Sequence, residues 1–272
     1  MKQNYRFWQF ALPLFAIGAL FQAPGLPVKG QQYYYAQPQQ QQSYGRFQQS
    51  AQCSDYMSDI QQDGYYTWPK EKFPVKVYMQ PGDGTPGYKS YYPDMMRDCF
   101  NEWCQAAGGR LSWQEVNDPK NADIKINWSD QVVEEVAGTE AGKTRTYARY
   151  NPNTNFGIIQ KADMRLLTRL PEREFSDNEV KKAYLHEVGH AFGIAGHSNN
   201  RHDIMYHAVV NTQHPAIGAR DIATLDHIYD LAPQMAAQAS AAAHQAESAQ
   251  SSSVQAEQQQ YGNRRYRSRY GG

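Results

Sequence analysis

The apolar positions of this chain repeat with two periods, and the stretches between them have neither. Phe73, Val75, Val77 and Met79 alternate with other residues, the pattern of a strand with one buried face. Leu111–Val116 and Ile124–Trp128 read the same way, and two further strands are expected around Thr144–Tyr150 and Ile158–Leu167. The last two are separated by Asn151-Pro152-Asn153-Thr154-Asn155, a run of turn formers. Helical spacing appears three times. Met96, Phe100, Trp103 and Ala107 follow Pro93, a good first-turn residue, and Gly108-Gly109 stops that helix. A second helix opens on the capping box Ser176-Asp177-Asn178-Glu179. Its Val180, Ala183, Tyr184, Val188, Ala191 and Phe192 cover so broad an arc that it should be largely buried. A third runs from about Ala219 to Leu231, with Ile222, Leu225, Ile228 and Tyr229 facing inward and Pro233 ending it. These elements predict an α+β domain: a twisted mixed sheet of about five strands, two long helices and a C-terminal helix.

Composition divides the chain. Both ends are rich in Gln, Ser, Tyr and Ala, while the middle is ordinary for a globular protein. We read residues 1–30 as a signal peptide or membrane anchor and 31–64 as a Gln/Tyr-rich low-complexity segment. The folded domain is 65–233, and 234–272 is an Ala/Gln/Ser-rich tail with a basic end. Lys2 and Arg6 precede an apolar stretch from Phe7 to Phe21, broken by Gln9 and Pro13. It falls short of the ~20 apolar residues that span a bilayer and fits a signal core of ~7–15 residues. The expected location is therefore secreted or extracytoplasmic, with no stable membrane insertion unless that segment stays uncleaved.

Charge excludes little, because 27 basic residues balance 27 acidic ones. Nucleic acid is not an expected partner; Arg264-Arg265-Tyr266-Arg267-Ser268-Arg269 is a weak exception, read as a solvated tail. A monomer is expected. Of three cysteines, Cys99 and Cys104 lie on different faces of one helix, too far apart to bridge. Cys53 is left to pair with one of them or to stay a free thiol, and thiolate is a good zinc ligand.

The chemistry concentrates in His186-Glu187-Val188-Gly189-His190-Ala191-Phe192-Gly193-Ile194-Ala195-Gly196-His197-Ser198, inside and just beyond the second helix. His186 and His190 are one turn apart, so both imidazoles project from one face and can share an ion. Glu187 points roughly 100° away from His186, within reach of a water on that ion. Gly193 can take the left-handed conformation that ends the helix and returns the chain with His197 as a third ligand. Three protein ligands leave the fourth tetrahedral corner open, the arrangement of catalytic rather than structural Zn2+.

This stretch resembles the metzincin motif H-E-x-x-H-x-x-G-x-x-H, and within that clan is most similar to the matrixins, especially bacterial matrixin-like peptidases. Asp203-Ile204-Met205-Tyr206 resembles the Met-turn, whose methionine, here Met205, would floor the metal site. Asp221–Tyr229 resembles the family's C-terminal helix, and Ala122-Asp123-Ile124 the start of a family strand. The resemblance covers roughly Tyr65 to Ala232. One departure stands out: three residues, Ile194, Ala195 and Gly196, separate Gly193 from His197 where the motif has two. Gly196 is permissive enough to absorb a bulge; His202, Asp203 and His207 are the replacement ligands to consider.

The resemblance implies a zincin-like catalytic domain and a zinc-dependent endopeptidase acting on proteins or peptides. Glu187 would be the general base, and His186, His190 and His197 the metal ligands. The tyrosine that assists catalysis in astacins falls one position later than Tyr206, which therefore receives no role. The substrate would lie extended along an antiparallel edge strand around Lys143–Tyr150, with a selectivity pocket walled by Tyr206 to Gly218, including Val209, Val210, Pro215 and Ile217. Two other classes compete: a non-catalytic exported binding protein that keeps the zinc fold, and a zinc hydrolase of non-peptide bonds. The intact Glu187 argues against the first, since a scaffold does not need that side chain.

Overall fold

The computed structural model of the chain describes residues 5–14, 54–131, 139–208 and 213–235, with 237, 238, 241 and 245. The strands are β1 (Tyr5–Leu14), β2 (Tyr65–Thr67), β3 (Val75–Met79), β4 (Trp113–Glu115), β5 (Ile124–Ser129), β6 (Thr139–Asn151) and β7 (Phe156–Leu167). The helices are α1 (Met57–Ile60), α2 (Tyr92–Ala106) and α3 (Asp177–Phe192), followed by α4 over 219–235. Strand order is β1-β6-β7-β5-β3-β4, with β2 beside β7. All pairs are parallel except β6 with β7 and β1 with β6. The mixed sheet is thus the expected five strands, β3 to β7, extended by two. Neither addition carries an alternating pattern: β2 is three residues long, and the apolar run containing β1 has no period of two.

Alternation sets the inner face. Val75, Val77, Ile124, Ile126, Ala162 and Met164 are buried, and α2 and α3 pack over them. Trp103 of α2 donates its indole N–H to the Leu185 carbonyl of α3 at 2.8 Å, and Phe100 meets Phe192 edge-on. Trp128 of β5 donates to the Tyr184 hydroxyl at 2.8 Å, tying the sheet to α3. The capping box holds α3's start: Glu179 N–H donates to Ser176 Oγ and Ser176 N–H to Glu179 Oε2. From Lys182 to Phe192 every residue of α3 is buried, as its broad apolar arc predicts.

Two boundaries differ from the expectation. Residues 54–64, assigned by composition to the low-complexity segment, pack onto the domain, with Tyr56, Met57 and Ile60 in the core. Three apolar residues in a polar run carry no period, so only tertiary contact reveals them. The last helix passes Pro233 and continues through 235. Proline removes one hydrogen bond, and the Ala- and Gln-rich sequence around it has high helix propensity. Cys99 and Cys104 are both free thiols. Cys53, the tract 31–52 and the basic tail lie outside the described residues, among which no helix is long and apolar enough to cross a membrane.

Candidate metal centre

α3 delivers His186, Glu187 and His190 from one buried helix, and the loop after Gly193 brings His197 back to them. The ligand atoms of the three histidines all lie within 4.8 Å of one another. The His197 ring sits 5.2 Å from that of His186 and 5.1 Å from that of His190, centroid to centroid. Gly193 makes the return possible. Its φ is 121°, and a Cβ there would lie 2.1 Å from the Tyr66 carbonyl oxygen. Gly193→Ala is therefore expected to destabilise the fold by on the order of 2 kcal/mol or more, read as a lowered urea midpoint; an unchanged midpoint would contradict it. The extra residue in the interval is taken up by burying Ile194 and Ala195. Gly196 lies so close to α1 that a Cβ would stand 2.5 Å from Asp63 Oδ2 and 2.7 Å from Ile60 Cγ2. The segment before the expected domain boundary thus buttresses the His197 loop.

Backbone carbonyls fix the imidazole tautomers. His186 Nδ1 lies 2.8 Å from the Ile204 oxygen and His190 Nδ1 2.6 Å from the Ile194 oxygen. A carbonyl only accepts, so both Nδ1 atoms carry the proton and both Nε2 atoms present lone pairs. Those two Nε2 atoms face each other at 2.9 Å. Two lone pairs so placed repel, and a cation beside them relieves the repulsion. Burial, reinforced by the neighbouring rings, holds the His186 and His190 imidazoles well below their usual pKa. Burial and then the charge of His207 lower His197 to about 4. All three are neutral near pH 7, the form that binds a metal ion. Donor type, tautomer and convergence fit Zn2+.

Glu187 is fully buried and lies against β6. Thr144 Oγ1 donates to its Oε2 at 2.6 Å, and a Cβ on Gly142 would come within 2.7 Å of its Cγ. Beneath the helix is Met205, whose Sδ would stand 2.4 Å from a Cβ at Gly189. Asp221 of α4 pins this turn by accepting from the N–H groups of Ile204, Met205 and Gly218 and from the Tyr56 hydroxyl. Ser198 N–H donates to the Met205 carbonyl at 2.9 Å, and its hydroxyl to Asp203 at 2.5 Å. Two of the three replacement ligands are otherwise placed: His202 is exposed, and Asp203 is engaged by Ser198 and Arg220. His207 is half-buried against Tyr206.

Thr144, Gly142 and Asp221 were not singled out from sequence. Thr144 and Gly142 carry no motif and matter only because β6 crosses Glu187. Asp221 had a usable signal, an acidic residue in the first turn of a helix just after Gly218. The expected edge strand also differs: β1 pairs with β6 from Tyr5↔Arg149 to Leu14↔Thr139. Of the expected pocket wall, Val209 and Val210 lie outside the described residues, while Pro215 is buried and Ile217 packs on the core.

Two histidines one helical turn apart, a third from the following loop and a carboxylate beside them characterise the zinc-dependent hydrolase class. The chain belongs to the matrixin family of zinc metallopeptidases, whose family model matches residues 68–230. A comparison with curated proteins gives no match.

Proposed function

We propose that the protein is an exported zinc-dependent endopeptidase in which His186, His190 and His197 hold the metal and Glu187 is the general base. The observation that carries this reading is the convergence of three neutral imidazoles, two with lone pairs fixed inward by backbone carbonyls, beside a buried carboxylate. Zinc held there supplies a Lewis acid that acidifies water and polarises the scissile carbonyl. Glu187 accepts the proton of the attacking water and returns it to the departing amine. Thr144 holds that carboxylate in place through its hydroxyl. Met205 closes the floor, and the apolar surroundings of α3 exclude bulk water.

The substrate is an extended polypeptide paired with β6, which reads backbone regardless of sequence. The basic residues and apolar run at the start of the chain support export. Removal of that segment opens the flank of β6 that residues 5–14 cover.

Chelation tests the reading. The protein as isolated from its secreting host should contain about one zinc ion per chain. It should lose casein cleavage in chelator and regain it on adding zinc, and His197→Ala should bind zinc much more weakly. Zinc present without cleavage would favour the binding-protein alternative.

A further inference from the structure

We propose that Asp59 and Ile60 are positioning residues for the metal centre, holding the lengthened loop so that His197 meets His186 and His190. This rests on the endopeptidase reading, in which His197 is the third ligand, and adds to it a brace that lies upstream of the family match. The two histidines of α3 are spaced by one helical turn, whereas His197 comes from a loop and stays in place only if that loop's backbone is held. The loop has one residue more than the motif between Gly193 and His197. α1 touches it on both sides of the ligand. Before His197, a Cβ on Gly196 would stand 2.7 Å from Ile60 Cγ2 and 2.9 Å from Ile60 Cβ. So close an approach leaves the loop no room to move toward α1. After His197, the Asn199 N–H donates to Asp59 Oδ2 at 3.3 Å.

A helix of four residues does not hold itself in water, so the brace takes its rigidity from its ends. Tyr56, just before α1, donates its N–H to Thr224 Oγ1 at 3.0 Å and its hydroxyl to Asp221 Oδ1 at 2.9 Å, both on α4. Just after α1, the Gln61 carbonyl accepts from Asn155 Nδ2 at 2.7 Å, in the turn between β6 and β7. α1 thus runs from α4 to that turn and presents two consecutive residues to the loop. Ile60 is fully buried and Asp59 half-buried. A longer loop has more conformations to lose when His197 is fixed, and a contact on each flank of the ligand supplies the restraint. Filling the core would need Ile60 alone. The Asp59 bond lies at the surface and fills nothing.

The test measures zinc affinity by competition with a chromophoric chelator, at a temperature where circular dichroism shows each variant folded. Ile60→Ala should bind zinc about tenfold more weakly than wild type. Asp59→Ala should lose about threefold, and Asp59→Asn should keep wild-type affinity, because its amide oxygen still accepts from Asn199. Gly196→Ala pushes on the same contact from the loop side and should also lose about tenfold. Combined with Ile60→Ala, the loss should stay well short of the roughly hundredfold that independent sites would give. The visible spectrum of cobalt(II) in the site should change in Ile60→Ala and Asp59→Ala and match wild type in Asp59→Asn. Lower urea midpoints with wild-type zinc affinity and cobalt spectrum would confine α1 to packing and overturn the inference, as would additive losses. Equal losses in Asp59→Ala and Asp59→Asn would assign the effect to charge and overturn it too. Should Ile60→Ala or Gly196→Ala not fold, the two Asp59 variants decide alone. A wild-type protein that binds no zinc sinks the endopeptidase reading and the brace with it; if zinc binds but no peptide is cleaved, that reading alone fails and these affinities still decide the brace.

Discussion

Glu187→Ala is expected to bind zinc as the wild-type protein does and to lose roughly two to four orders of magnitude in kcat/KM. The two halves of this outcome follow from separate parts of the centre. In the proposed centre metal binding rests on His186, His190 and His197, and the Nδ1 anchors of the first two, at Ile204 and Ile194, do not involve Glu187. Proton transfer depends on one carboxylate, held by Thr144 at 2.6 Å. Deleting it leaves the imidazole cradle intact and removes the group that takes a proton from water and returns it to the amine. The loss should fall on kcat rather than KM, because in the proposed mechanism the carboxylate acts on the reacting water and not on a polypeptide along β6. Glu187→Gln keeps the volume and the contact with Thr144, and should lose activity to a similar degree. Peptide hydrolysis with matched zinc analysis of each variant decides the matter. A Glu187→Ala protein that retains zinc and cleaves at the wild-type rate would exclude the general-base role. Loss of zinc together with cleavage would show that the carboxylate supports the metal site.

The helices α2, α3 and α4 and the strands β3 to β7 were legible because each carries a local signal. The capping box at Ser176 and Glu179 marks α3 within a residue, and both of its hydrogen bonds form. Gly193 was readable because ending a helix and reversing the chain requires a conformation that glycine adopts without strain. The histidine spacing was equally local: two ligands one turn apart need no tertiary information. What escaped the sequence depends on neighbours distant in the chain. Tyr56 and Ile60 sit in a polar stretch, yet they enter the core because α4 and the His197 loop need a partner on that side. Thr144 looks like any strand threonine until β6 is laid across Glu187. The pairing of β1 with β6 was invisible for the same reason, since strand partners are chosen by an open edge and not by a motif.

Asp221→Ala should be the most damaging substitution outside the histidine cluster, lowering folding stability by roughly 3 kcal/mol or more. The carboxylate is fully buried and accepts from the N–H groups of Ile204, Met205 and Gly218 at 3.0, 3.3 and 2.8 Å, and from the Tyr56 hydroxyl at 2.9 Å. Burial pushes its pKa up, and these donors pull it back. Removing the acceptor strands several buried donors at once, each costing about 1–3 kcal/mol. The consequence does not end with stability. The peptide unit whose Met205 N–H donates to Asp221 also carries the Ile204 carbonyl, which accepts from His186 Nδ1 at 2.8 Å. Loosening this turn releases the group that orients one imidazole and shifts Met205 beneath it. Zinc affinity should therefore fall about tenfold, measured at a temperature where circular dichroism shows the variant folded. Asp221→Asn should lie between, because its amide oxygen still accepts while its NH2 faces backbone donors. Two separate readings test the chain of contacts from α4 to the metal ligands: the denaturation midpoint for the buried donors, and zinc affinity in the folded variant for the orientation of His186. A variant that loses stability but binds zinc with wild-type affinity would confine Asp221 to a structural role.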